Sequence, residues 1–168
     1  MRKESGFTLI ELMVTMAIVL IMASIAVPTL LSWLPRQRLR GAVTDLVADI
    51  NSVKLTAIKE NQNWAIVFNT ATNRYFLCSD AGAGDQWDGP AANGGNDTCP
   101  KVVRLSDIGS GIQFIPPIGG FFGAHEPHVQ FNSRGLGNAV QVDVTNMTGS
   151  PSYRVQTTLA GGVISDKL

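Results

Sequence analysis

Charge is scarce in this sequence. Only 15% of its 168 residues are charged, and thirteen basic side chains cancel thirteen acidic ones. Without a basic excess there is no overall field to draw nucleic acid, and without an acidic excess there is no charge-driven disorder. Histidine and cysteine occur twice each. Neither cysteine belongs to a CxxC, and no histidine is close enough to complete a zinc set. His125-Glu126-Pro127-His128 is not the helical HExxH motif, because Pro127 forbids a continuing helix; it reads as a turn into a strand at Val129. Gly82-Ala83-Gly84 and Gly135-Leu136-Gly137 do not stand between a strand and a helix, as a phosphate loop requires. No serine is marked by motif with a histidine and a carboxylate. These absences exclude the familiar catalytic constellations: neither an enzyme nor a metal or other cofactor is expected.

What the chain does have is one long apolar run. A short leader, residues 1–6, carries Arg2 and Lys3 and ends at Gly6; from Phe7 to Leu34 almost every residue is apolar. At about 1.5 Å per residue, some twenty helical residues cross a bilayer core of about 30 Å. A cleavable signal has a shorter apolar stretch with its small residue behind it. Here the glycine lies in front, so cutting there keeps the helix. Glu11 is the one carboxylate inside the run. A membrane-embedded acid costs about 2.5–3.5 kcal/mol on insertion scales, so it is expected to be paired. An amino terminus freed at Phe7 would be four residues away on the same helix, and a neighbouring subunit's terminus would serve as well.

The stretch G-F-T-L-I-E-L from Gly6 to Leu12, followed by an apolar run containing Pro28, resembles the N-terminal motif of type IV prepilins and pseudopilins. The resemblance implies that a prepilin peptidase cuts between Gly6 and Phe7 and methylates the new amino group. It also implies that Glu11 pairs with that group on an adjacent subunit as pilin subunits pack into a helical filament. Arg2 and Lys3 favour a cytoplasmic N terminus. Arg36, Arg38 and Arg40 argue the opposite way, and the cleavage motif decides for a single pass of the bacterial inner membrane with residues after about 35 in the periplasm. The three arginines then read as a collar that snorkels to lipid phosphates. Pro28, Pro35 and Gly41 interrupt the helix; kinks are expected at the two prolines, with residues 24–41 as a hinge.

Beyond the hinge, Leu39, Val43, Leu46, Ile50, Val53 and Ala57 recur in steps of four and three, which predicts an amphipathic helix over 35–61. Its partner is expected to be the chain's own sheet, because Leu55 departs from a heptad seam. After Asn61-Gln62-Asn63 the period becomes two, with a hairpin through Trp64–Leu77 and later strands at 101–105, 112–115, 129–132, 139–145, 152–159 and 163–165. Ile115-Pro116-Pro117-Ile118-Gly119-Gly120-Phe121-Phe122 reads as a loop whose phenylalanines are tucked into the core or offered to a partner. The expected fold is α+β and pilin-like: a long N-terminal helix on an antiparallel β-sheet, with the globular β domain at 62–168.

In an exported domain Cys78 and Cys99 are expected to form a disulfide bounding the loop 78–99. Asp80, Asp85, Asp88, Asn93 and Asp97 in that loop lack EF-hand spacing and read as a solvated surface. The stretch Phe131-Asn132-Ser133-Arg134-Gly135-Leu136-Gly137, followed by a strand and a terminal hairpin, resembles the FimT/GspH branch of minor pilins and pseudopilins. Some members of that branch bind DNA through arginines in the final hairpin. The turn here, Ala160-Gly161-Gly162-Val163-Ile164-Ser165, has none, which argues against DNA as a partner. Three functions are left open: a type II secretion pseudopilus subunit, a minor pilin that starts pilus assembly or adheres at its tip, and a DNA-capturing module for transformation.

Overall fold

The computed structural model describes residues 7–79, 87, 89–90, 97–120, 126–147 and 151–168. Helix α1 runs Leu9–Glu60. It is followed by β1 (Trp64–Asn69), β2 (Arg74–Cys78), β3 (Lys101–Arg104), the single-turn α2 (Leu105–Ile108), β4 (Ile112–Gly119), β5 (His128–Phe131), β6 (Gln141–Asn146), β7 (Ser152–Thr157) and β8 (Val163–Lys167). The chain divides into two units, Met1–Pro35 and Arg36–Leu168.

In the second unit the apolar stripe of α1 does what its spacing predicts. Leu39, Val43, Leu46, Ile50, Val53 and Ala57 are all buried in one core with side chains from β1, β2 and β4–β7. Burying each large aliphatic side chain contributes about 1.5–3 kcal/mol. Leu55 is 66% exposed, off the stripe as its spacing requires. The helix stops where Asn61 takes a left-handed conformation, φ 54°, and the Gln62 N–H donates to the Ala57 carbonyl at 3.2 Å. That is the Schellman arrangement, with asparagine in the place glycine more often takes.

The strands form two sheets, where a single one was expected. Their orders are β3-β2-β1-β5 and β4-β6-β7-β8, and every pair is antiparallel. The free edge of β5 explains why β6 does not extend the first sheet. The side chain of Asn138 accepts from the Gln130 N–H and donates to the His128 carbonyl, each at 2.9 Å, occupying the groups a next strand would need. Asn73, at φ 49° in the β1–β2 turn, ties the sheets together: its carbonyl accepts from Leu105 N–H and its Oδ1 from Phe114 N–H.

The expected loop at 115–122 is corrected in part. Strand β4 continues through Pro116 and Pro117 to Gly119, with Ile118 buried. Proline lacks the N–H a central strand needs, but β4 is an edge strand and its pairing with β6 shifts register between Ile115 and Gly119. Phe121 and Phe122 lie outside the described residues.

Polar ties from Asp49 and Lys54 help hold α1 to the rest of its unit. The buried Tyr75 hydroxyl donates to Asp49 Oδ2 at 2.8 Å, Lys101 donates to Asp49 Oδ1 at 2.6 Å, and Lys54 Nζ donates to the Gly161 carbonyl at 2.8 Å. Burial first, and then the hydrogen bond to Asp49, push the Tyr75 hydroxyl well above the usual tyrosine range. Gly161 has φ +75°, and a Cβ there would collide with the carbonyl oxygen of Gly135.

Gly161→Ala should destabilise the protein by more than about 1 kcal/mol, because it adds left-handed strain to a backbone collision; a thermal or urea melt measures it. The raised Tyr75 pKa makes a contribution that is complete below the unfolded value of about 10 and declines as pH rises above it. Tyr75→Phe should therefore cost about 0.5–1.5 kcal/mol at neutral pH and flatten the alkaline fall of the melting temperature.

Candidate assembly site

From Leu9 on, the first unit is helix with no covering among the described residues. Every large apolar side chain from Phe7 (81% exposed) to Leu34 (39% exposed) faces outward, and none of its most apolar 18-residue window is buried. Length and composition suffice to cross a membrane. The hydroxyls along the run are satisfied locally: Thr15 donates to Leu12 O, Ser24 to Ile21 O, Thr29 to Ile25 O and Ser32 to Thr29 O, at 2.7–3.0 Å. Such back-bonding lets polar residues sit in an apolar surrounding without an unmet donor.

Glu11 lies in the first turn of α1 and is exposed. Its N–H donates to Thr8 Oγ1 at 3.3 Å, so Thr8 caps the helix and Glu11 stands three residues on. Thr8…Glu11 has the T-x-x-E spacing of a capping box, a local signal within the G-F-T-L-I-E-L stretch. Among the described residues no basic side chain pairs with Glu11. Phe7 is the first described residue of the chain; Gly6 and the rest of the leader lie outside the described residues. Pro28 and Pro35 lie inside α1, which remains helical through both and through Gly41. No side chain or distant backbone approaches a Cβ built at Gly41.

On the second unit, Cys78 and Cys99 form the expected disulfide. The outer face of the first sheet, Ala65, Val67 and Phe76, is covered by Trp87 from the loop so closed. Trp87 Nε1 donates to Gln130 Oε1 on β5 at 2.8 Å. Asp97 is buried and closes the loop on itself: its Oδ2 accepts from Gly89 N–H at 2.6 Å while its own N–H donates to Gly89 O at 3.0 Å. Cys78, Asp97 and Cys99 lie within 4.8 Å of one another, but sulfurs tied to each other offer no thiolate to a metal. Asp80, Asp85, Asp88, Asn93, Gly82–Gly84 and His125 lie outside the described residues. His128 opens β5 with its Nδ1 2.9 Å from the Glu126 carbonyl, as the reading of a turn into a strand expects.

The final hairpin turns at 158–162 and is held down. Beyond the Lys54 and Gly135 contacts, Thr158 Oγ1 accepts from Gly162 N–H at 2.9 Å. Gly135 belongs to a turn organised by Asn132, whose Oδ1 accepts from both Arg134 and Leu136 N–H. The arginine on β7, Arg154, makes a two-point pair with Asp143 across the strands at 2.8 Å, and that bond raises its pKa.

Residues 1–27 match the prokaryotic N-terminal methylation motif, and residues 42–161 match the family described as type II transport protein GspH. The fold is similar to that of the minor pseudopilin EpsH from the type 2 secretion system of Vibrio cholerae. That match has a TM-score of 0.56 and 14% identity, covering 77% of this chain and 96% of the other. It is also similar to the type IV minor pilin FimU of Pseudomonas aeruginosa, with a TM-score of 0.56 and 10% identity over 78% and 90% of the two chains. In sequence, 55 residues are 46% identical to type II secretion system core protein G of Vibrio cholerae serotype O1, 33% of this chain and 38% of that protein. A second such core protein, from Aeromonas hydrophila, is 38% identical over 61 residues, 36% of this chain and 43% of that protein.

Replacing both cysteines by alanine should cost about 3 kcal/mol, the chain-entropy value for a loop of this length. Trp87 fluorescence should shift to the red as its cover over Val67 and Phe76 loosens; an unchanged melt and emission would show that the bond holds nothing in place.

Proposed function

Because the chain belongs to the type II transport protein GspH family, we propose that it acts as a minor pseudopilin, a structural and non-catalytic subunit of a type II secretion pseudopilus. The observation that carries this reading is the uncovered apolar helix, with a capped first turn holding Glu11, joined to a separately cored β unit that the family match covers. A prepilin peptidase cuts between Gly6 and Phe7 and methylates the Phe7 amino group. The helix anchors the subunit in the inner membrane with the second unit in the periplasm, then moves into a bundle of pilin helices. Glu11 meets the Phe7 ammonium of an adjacent subunit there, since a charge left alone in an apolar bundle is costly.

Pro28, Pro35 and Gly41 act as the weak points of α1 during that transfer. Each proline removes one intrahelical hydrogen bond, and glycine lowers helix propensity by about 1 kcal/mol relative to alanine. DNA capture is the less favoured reading: the final turn carries no arginine and is pinned to α1. A minor pilin of a type IV pilus shares the same assembly chemistry, and a deletion strain scored for both secretion and twitching separates the two.

Glu11→Ala should insert in the membrane and be processed normally, yet enter filaments about 10²–10³-fold less, as losing a buried pair worth about 3–5 kcal/mol requires. Sheared filaments probed for the subunit read this directly, and wild-type incorporation would refute the pairing.

A further inference from the structure

Arg74 and Arg104 stand directly opposite each other on neighbouring antiparallel strands, β2 and β3. Like charges in that position repel, so the arrangement weakens the sheet unless something answers it. Charge on the edge strand β3 guards against strand pairing and accounts for Arg104 alone. It does not account for a second arginine beside it on the inner strand β2. Neither arginine takes part in an ion pair among the described residues. Both side chains share a face with Phe76 and Cys78, the outer face of the sheet, because Tyr75 and Val103 between them turn to the core.

The strand ends that carry the pair are linked to the arginine collar through α2. Arg104 leads straight into α2, whose one turn is about 6 Å long and ends at Gly109. A Cβ at Gly109 would sit 3.1 Å from Arg38 Cβ, and Arg38 Nη1 donates to Ser110 Oγ at 3.2 Å. Leu105 N–H donates to Asn73 O, which brings Arg74 to the same place. Arg36 and Arg40 flank Arg38 on α1 and are exposed. Five of the seven arginines after the leader thus lie on segments joined through α2 to the start of the second unit at Arg36. The acids nearby are Asp45 and Asp107, both exposed; Asp49 is taken up by Tyr75 and Lys101.

We infer that this end is a docking surface for an anionic membrane, with Arg74 and Arg104 together gripping a lipid phosphate while the subunit waits in the bilayer. This rests on the proposed membrane anchoring. Guanidinium forks suit phosphate oxygens, and chain connection to a membrane helix keeps the headgroups at high effective concentration. Leaving the bilayer for a filament breaks these contacts, so the pair holds the stored subunit back.

The test uses the full chain in nanodiscs of phosphatidylcholine alone or with about 30 mol % phosphatidylglycerol, where each basic residue is worth about fivefold in binding. Co-elution with the discs and protection of residues 7–34 report anchoring on their own, so its failure is seen separately. Hydrogen exchange at 69–74 and 104–110 should slow at least fivefold in the anionic discs. The slowing should vanish on raising salt from about 0.1 to 0.5 M, which halves the screening length. R74Q/R104Q should abolish it while melting no lower than the wild type, since the variant removes a repulsion; R74K/R104K should keep most of it. Equal exchange in both discs, or slowing that survives in R74Q/R104Q, overturns the inference. The same slowing from inorganic phosphate in neutral discs assigns a free-anion site instead, and a lower melting temperature for R74Q/R104Q means that the arginines brace the sheet.

Discussion

An apolar surface some twenty-eight residues long, from Phe7 to Leu34, has no cover among the described residues, and the rest of the molecule is arranged around that fact. Hydrophobic burial is the dominant favourable term in folding, and a surface this large cannot stay in water. Lipid can cover it, and so can the helices of other subunits. Either cover must meet the same polar demands. The run therefore satisfies its serines and threonines by back-bonding and caps its first turn with Thr8. Glu11, by contrast, has no basic partner among the described residues.

The second unit must fold without drawing on that surface, and it does so with the other half of the same helix. The stripe from Leu39 to Ala57 is buried within a core shared by both sheets, so α1 changes from uncovered to half-buried along its length. Polar ties from Asp49 and Lys54 fix the register of helix against strands. The disulfide and Trp87 close a second, smaller core on the outer side of the first sheet. Free edges are managed separately: Asn138 caps β5, prolines remove N–H donors from β4 and charge guards β3. Unguarded edges would invite pairing with the strands of another chain.

Sequence by itself determined the periodic and local features of this protein. The leader, apolar run and Glu11 are legible in order, and the six-residue stripe of α1 follows from helical period because burial on one face leaves no other spacing. Hairpin β1–β2, the later strands and the disulfide are likewise local or compartmental signals. The T-x-x-E cap was equally local and lay hidden behind the stronger motif around it. Tertiary structure alone decided what depends on partners distant in the chain. Division into two sheets turns on Asn138 reaching β5, and β4 continues through Pro116 and Pro117 only because it lies at an edge. The meeting of Arg74 with Arg104, thirty residues apart, is set by strand register, which no composition or periodicity records because it is fixed by packing across the sheet.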